Sequence, residues 1–275
     1  MRNVKRYETL TELWHREIES QLLATRDELD LVAGIDTIRY NCLLSADSME
    51  FDFDSGRDLW LMPSRFTVLQ RAYLDIDPLD AFLARCVACA QEDKRGVITQ
   101  MFARQHANAP RKYRWGNCML GWDFRGGGRN MQPTLTMHSR VSYIAYIGGL
   151  DLALCWVLAR TIGELIDRKP EEFAFNWYLS SSQFHFFKSL PAMYSLGYEE
   201  ELLDTEGYPS SVYPTLNGVR KWHGTAVRLR DEGVPIAAEK YGPFRRIRRR
   251  YEEYKSGVEY RTPLESLTFD PLYRR

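Results

Sequence analysis

Cys118 is the residue whose surroundings point most directly to covalent chemistry. It closes the polar-aromatic run Arg114-Trp115-Gly116-Asn117-Cys118, with Arg111 and Lys112 just upstream. A thiol attacks as its thiolate, and neighbouring cations favour that form. The plain alternative is a core residue, because free cysteines are among the most buried side chains. Cys86-Val-Ala-Cys89 has the spacing of a redox or zinc half-site, but no second Cys pair or His pair answers it. Two small core thiols on one helix are the expected reading, and no metal site is expected. Gly126-Gly127-Gly128 lies between two strand patterns, whereas a phosphate cradle needs a helix behind it, so a hairpin turn is expected. Arg245, Arg246, Arg248, Arg249 and Arg250 form a basic run that reads as a solvated helix face or, functionally, as a polyanion contact.

The elements that must position these groups follow from periodicity. Leu10, Leu13, Trp14, Ile18 and Leu22 recur at helical spacing and predict an amphipathic first helix. Thr37–Leu44 and Met49–Phe53 read as strands, Phe66–Leu74 and Leu79–Gln91 as helices, the latter started by Asp77-Pro78. Strands are expected at Val97–Ala103, Tyr113–Phe124, Pro133–Ser139 and Phe173–Leu179. Leu150–Ile166 is apolar almost all round, which predicts a helix buried on most faces and closed by Lys169-Pro170. A basic helix is expected near Phe244–Tyr254. Long helices beside an antiparallel-leaning sheet give an α+β class.

Composition narrows the function classes. With 44% hydrophobic and 13% aromatic residues, the chain can fill a sizeable core, and 275 residues suit a single domain spanning 1–275. Thirty-seven basic residues balance thirty-seven acidic ones, so no net charge draws the protein to nucleic acid or a membrane, and any anion must be caught by a local cluster. The most apolar run, Tyr143–Ala159, is too short to span a bilayer and carries Asp151. Five cysteines and a charged start without an apolar core predict a reducing, cytoplasmic setting, or a host cytoplasm if the gene is carried by a phage.

Taken in order, several segments resemble the thymidylate synthase superfamily, and in one feature its deoxycytidylate hydroxymethylase branch. Met49-Glu-Phe-Asp-Phe followed by Gly56 resembles the family's early strand and turn. Glu92-Asp-Lys94-Arg95-Gly96 resembles the twin-basic segment that reaches the partner's nucleotide phosphate across a dimer. Asn117-Cys118 takes the place of the catalytic Pro-Cys-His, with Met119 in place of the His. His138-Ser139-Arg140 holds the place of the phosphate-binding arginine, and Asp151 follows Arg140 by eleven residues. That position is Asn in the synthases and Asp in the hydroxymethylases. Phe184-His185-Phe186-Phe187 resembles the His-x-Tyr segment at the sugar hydroxyl, with Phe187 for the Tyr.

The resemblance implies a thymidylate synthase-like fold and a homodimer with Lys94 and Arg95 contributed across the interface. It implies a pyrimidine nucleoside monophosphate as substrate and 5,10-methylenetetrahydrofolate as one-carbon donor. Cys118 would add to ring carbon six, while Arg140, Lys94 and Arg95, assisted by Arg39, would hold the phosphate. Asn117 would lie at the substrate, and His185 would bond the sugar or stand as an ordinary histidine between aromatics. A carboxylate accepts only, so Asp151 would suit cytosine's amine, with one shared proton completing the pair; its plain reading is a helix-start acid. The family's catalytic Glu near Leu74 is absent, leaving Asp75 closest, and Tyr143 stands where an Asp contacts folate. Cytidylate 5-hydroxymethylation is the leading expectation. The others are methyl or hydroxymethyl transfer to dUMP, a member that binds nucleotide or modified DNA without folate chemistry, and a binding module using the arginine run.

Overall fold

A computed structural model of the chain describes residues 3–26, 36–55, 77–91, 97–101, 118–126, 131–185 and 213–233, with residues 189, 192, 193, 196, 197 and 256 singly. The expected helices at Phe66–Leu74 and Phe244–Tyr254, and the arginine run, lie outside the described residues. Among the described residues, six strands make one sheet: β1 (Asn3–Thr9), β2 (Asp36–Ser48), β3 (Val97–Met101), β4 (Met119–Arg125), β5 (Thr134–Tyr143) and β6 (Ala174–His185), in the order β1-β2-β6-β5-β4-β3. β1 runs parallel to β2, and β5 to β6, while the other three pairings are antiparallel. With helices α1 (Leu10–Arg26), α2 (Asp77–Gln91), α3 (Gly149–Ile166) and α4 (Tyr213–Asp231), the class is α+β with a mixed sheet. Among the described residues, no helix is long and apolar enough to cross a membrane.

One face of the sheet carries the core. Leu10, Leu13, Trp14, Ile18 and Leu22 of α1 are all buried, the stripe their spacing predicts. Thr9 caps that helix by accepting from the Glu12 amide at 3.1 Å. α2 buries Phe82, Leu83, Cys86 and Val87 and packs against α3, which is itself buried over most of its length. Both Cys86 and Cys89 are buried, as core thiols should be.

The inward-facing alternation resets in the middle of three neighbouring strands. On β5 the buried residues run Leu135, Met137, Ser139 and then Ser142; on β6 they run Phe175, Trp177, Leu179 and then Ser182 and Phe184. Register aligns the skipped positions Arg140 and Ser180 with Asn41 on β2, whose φ is +53°. Strict alternation would have turned Ser142 and Ser182 outward. The reset, as a bulge does, re-aims them under the helices.

Several sequence expectations need correction. Met49–Phe53 is not a strand: β2 ends at Ser48, and Asp52 organises a turn by accepting from the Asp54 amide at 2.8 Å and the Ser55 hydroxyl at 3.0 Å. Its apolar residues, Met49 and Phe51, are buried from that irregular segment. Lys169-Pro170 does not close α3; the helix stops three residues earlier, where Asp167 adopts the left-handed conformation at φ +56°. β1 is unanticipated because an edge strand carrying Lys5, Arg6 and Glu8 lacks an apolar signature. α4 was likewise unanticipated.

Gly149 fixes how closely α3 approaches α1. A Cβ there would lie 2.6 Å from the ring of Trp14, itself fully buried and tied by its indole N–H to the Ile144 carbonyl at 3.0 Å. Gly149→Ala should therefore cost about 1–3 kcal/mol by overpacking. Urea denaturation would register this as a lower midpoint; an unchanged midpoint would mean that the two helices can separate freely.

Candidate active site

Three separate elements bring Cys118, Arg140 and Asp151 together. Cys118 lies in a bend immediately before β4, not within a strand as its sequence suggested, and is exposed. Its carbonyl accepts from the Arg140 amide at 2.7 Å, which anchors it across the β4–β5 ladder next to the irregularity between Met119 and Gly121. The Arg140 side chain lies near enough to the thiol to act on its ionisation. β5 then ends at Tyr143, a wide π turn occupies Ile144–Gly148, and α3 begins at Gly149. That path takes up the eleven-residue step from Arg140 to Asp151. It returns Asp151, in the first turn of α3, over the strand that carries Arg140.

Asp151 is 4% exposed and accepts from the Ser142 hydroxyl at 2.9 Å, with Ser142 itself 2% exposed. Among the described residues, no side chain caps the start of α3. A helix start favours the carboxylate, yet burial prevails and raises Asp151 from 3.8 to about 7, with the Ser142 bond opposing the rise. Cys118 does not have its thiolate favoured, contrary to the sequence expectation. Protein atoms crowding its sulfur raise its pKa most, although the residue as a whole is exposed, and the charge of Asp151 raises it further. Arg140 opposes both without overcoming them.

The buried acid has a measurable thermodynamic consequence. Between pH 4 and 7 folded Asp151 keeps a proton that the unfolded chain releases. Its contribution is therefore full below pH 4, falls as pH rises, and is lost above about pH 7. Asp151→Asn should gain stability relative to the parent across that window, by up to about 4 kcal/mol at pH 8. Urea titrations at pH 4 and pH 8 test this; a pH-independent difference between the two proteins would show that Asp151 is ionised throughout.

No family model matches the chain, and no curated protein matches it. Among solved structures it is similar to the thymidylate synthase of T4 phage, at 10% identity and a TM-score of 0.35, covering 61% of this chain and 76% of that one.

The remaining expected site residues are placed differently. Arg39 faces inward on β2, where its guanidinium donates to the Ser20 carbonyl at 2.7 Å and lies 3.7 Å from Glu17. It is engaged by α1. His185 ends β6 opposite Asp36. Tyr143 pairs with Gln183 and follows the inward Ser142, so alternation directs it to the opposite face of the sheet. Asn117, Lys94, Arg95 and Asp75 lie outside the described residues, as do Arg111, Lys112, Phe186 and Phe187. Among the described residues, no group of three or more His, Cys, Asp or Glu side chains is disposed to hold a metal ion.

Ser142 is the site residue that sequence reasoning missed. A serine two positions after an arginine carries no signal of its own, and a strand without the reset would have pointed it away from Asp151. Glu17 was missed too. Only 1% exposed, it takes the Lys5 ammonium at 2.6 Å, the Tyr7 hydroxyl and Arg39, joining β1, β2 and α1.

Proposed function

We propose that the protein modifies carbon five of a pyrimidine nucleoside monophosphate through a covalent adduct of Cys118, with cytidylate as the preferred substrate and 5-hydroxymethylation as the net reaction. The carrying observation is the convergence of an exposed thiol, an arginine tied to the same residue through its backbone amide and acting on the thiol's ionisation, and a buried carboxyl poised near neutrality. Pyrimidine carbon five becomes nucleophilic once a thiolate adds at carbon six, since the electron pair displaced from the ring double bond is then delocalised over carbon five. Arg140 supports the thiolate and is exposed, able to meet a phosphate. Asp151 accepts from cytosine's amine and shares one proton with ring nitrogen three. Sharing that proton also neutralises the charge that raises the Cys118 pKa, so base binding and thiolate formation favour each other.

The acid form of Asp151 carries one donor and one acceptor, so a uridylate edge is the second reading. 5,10-Methylenetetrahydrofolate would supply an electrophilic one-carbon unit. Its end of the site does not fit at the described residues, because Tyr143 replaces the acid that resemblance would require and lies on the opposite sheet face. The chain is further read as a homodimer, with Lys94 and Arg95 serving the partner's nucleotide. The outward sheet face, where Val4 and Tyr40 are more than 60% exposed beside Ile38 and Tyr178, supports a second copy as its cover.

Reversible addition at carbon six lets carbon five take up solvent hydrogen without any donor. Incubation of CMP, dCMP, UMP and dUMP in D2O should therefore give C5 deuterium by mass spectrometry, first with the cytidylates. Adding the folate then tests the one-carbon step separately: a hydroxymethylated product would show that residues other than Tyr143 serve the donor, and exchange without product would restrict the chain to activation of carbon five. No exchange with any nucleotide would sink the covalent reading; exchange with dUMP alone would sink the cytosine preference.

A further inference from the structure

Asp151 can meet either pyrimidine edge if its two oxygens are equivalent. A protonated carboxyl has one donor and one acceptor, and it can interchange them by moving its proton. Cytosine offers a donor at position four and an acceptor at position three; uracil offers the reverse. A site built on an isolated buried acid would therefore discriminate poorly.

Here the two oxygens are not equivalent. Ser142 donates to Oδ2 at 2.9 Å, and both side chains are buried. An oxygen already accepting a hydrogen bond is the poorer place for the proton, which is left to Oδ1. A cation in place of the serine would favour the ionised form of Asp151, and an apolar neighbour would favour the protonated form. A neutral hydroxyl leaves the proton exchangeable while fixing where it sits. The next residue across the ladder, Ser182, is bonded by Gln21 at 2.6 Å, so the inward row on these strands is a built polar layer beneath α1 and α3. Among the described residues, the titratable groups coupled to Asp151 are Cys118 and Cys155, with Arg140 acting on Cys118.

We propose that Ser142 is the specificity-determining positioning residue of this site: by holding Oδ2 as an acceptor it makes Asp151 read a pyrimidine edge in one order only. This rests on the nucleotide reading above. Ser142 itself does not touch the base, and its effect reaches the ligand through the carboxyl.

The test combines a ligand readout with one that needs no ligand. Affinities for CMP and UMP, from calorimetry between pH 5 and 9, should give a ratio that moves about tenfold towards one in Ser142→Ala and is restored in Ser142→Thr. Iodoacetamide labels Cys118 selectively under native conditions, since Cys42, Cys86, Cys89 and Cys155 are buried. Its rate against pH should show an inflection from Asp151 that Asp151→Asn erases and Ser142→Ala moves upward by about one pH unit. Equal weakening of both nucleotides with an unmoved inflection marks a merely structural serine and overturns the proposal. If the parent binds no pyrimidine nucleotide, the nucleotide reading fails, and the base-selection role of Ser142 falls with it. The inflection then reports separately whether the serine positions Asp151: an upward move retains that part, and an unmoved one removes it as well.

Discussion

Cys118→Ser is expected to lower C5 exchange by about 10⁴-fold or more, while cytidylate affinity stays within a few-fold of the parent. The asymmetry follows from what the thiol does. It makes and breaks the bond to carbon six, whereas Arg140 and Asp151 hold the ligand. A serine hydroxyl fills nearly the same space and can still meet the Arg140 side chain, but it ionises far too weakly to add to the ring. Burial and Asp151 already hold the thiol above its ordinary pKa, so exchange by the parent should rise with pH until Asp151 loses its proton and the base loses its partner. A bell-shaped profile is thus expected for exchange, because the active form needs the thiol ionised while Asp151 keeps its proton. Because the two groups interact, its limbs belong to the pair. Full exchange by Cys118→Ser would eliminate covalent catalysis and leave a site that only binds.

Glu17→Ala should produce the largest loss of stability, about 3–5 kcal/mol, because it strips a buried carboxylate from the cations and phenol gathered around it. Lys5, Tyr7 and Arg39 converge on that one side chain from two parallel strands. Burial, then the Glu17 bond, raise the Tyr7 phenol pKa, which fits a hydroxyl held as donor to a carboxylate. Without it, Arg39 keeps only the Ser20 carbonyl among the partners seen here. Thermal unfolding should fall by roughly 10 °C. Glu17→Gln, which retains an acceptor for Tyr7 but no charge for the cations, should fall between the two. A loss under about 1 kcal/mol for Glu17→Ala would place these groups with ordinary surface pairs. The substitution should leave the pH inflection of Cys118 labelling in place, since Arg39 belongs to this corner and not to the thiol.

Much of the scaffold was legible without coordinates. The stripe of α1, the Asp-Pro start of α2 and the all-round apolarity of α3 are local patterns, set by side-chain period and capping chemistry within a few residues. Strand cores at Thr37–Leu44 and Phe173–Leu179 were legible for the same reason. The Met49–Phe53 alternation misled because period two records which side chains are apolar, not whether a neighbouring strand is there to pair. β1 stayed hidden because its partner β2 lies more than thirty residues away and its own side chains are charged.

For the candidate site, the sequence determined which groups exist and how far apart they lie along the chain: Cys118, Arg140 and, eleven residues on, Asp151. Tertiary structure decided what they are to one another. It took the aligned reset at Asn41, Ser180 and Arg140, together with a π turn, to set Ser142 under Asp151 and to bring Asp151 within electrostatic reach of Cys118. It also reversed the expected state of the thiol, since desolvation and a nearby carboxylate outweigh Arg140. Arg39 shows the same limit, an arginine whose sequence fits a phosphate but whose position gives it to Glu17. Charge type is written in the residues, whereas pKa and partnership depend on burial and distance, which only the folded chain supplies.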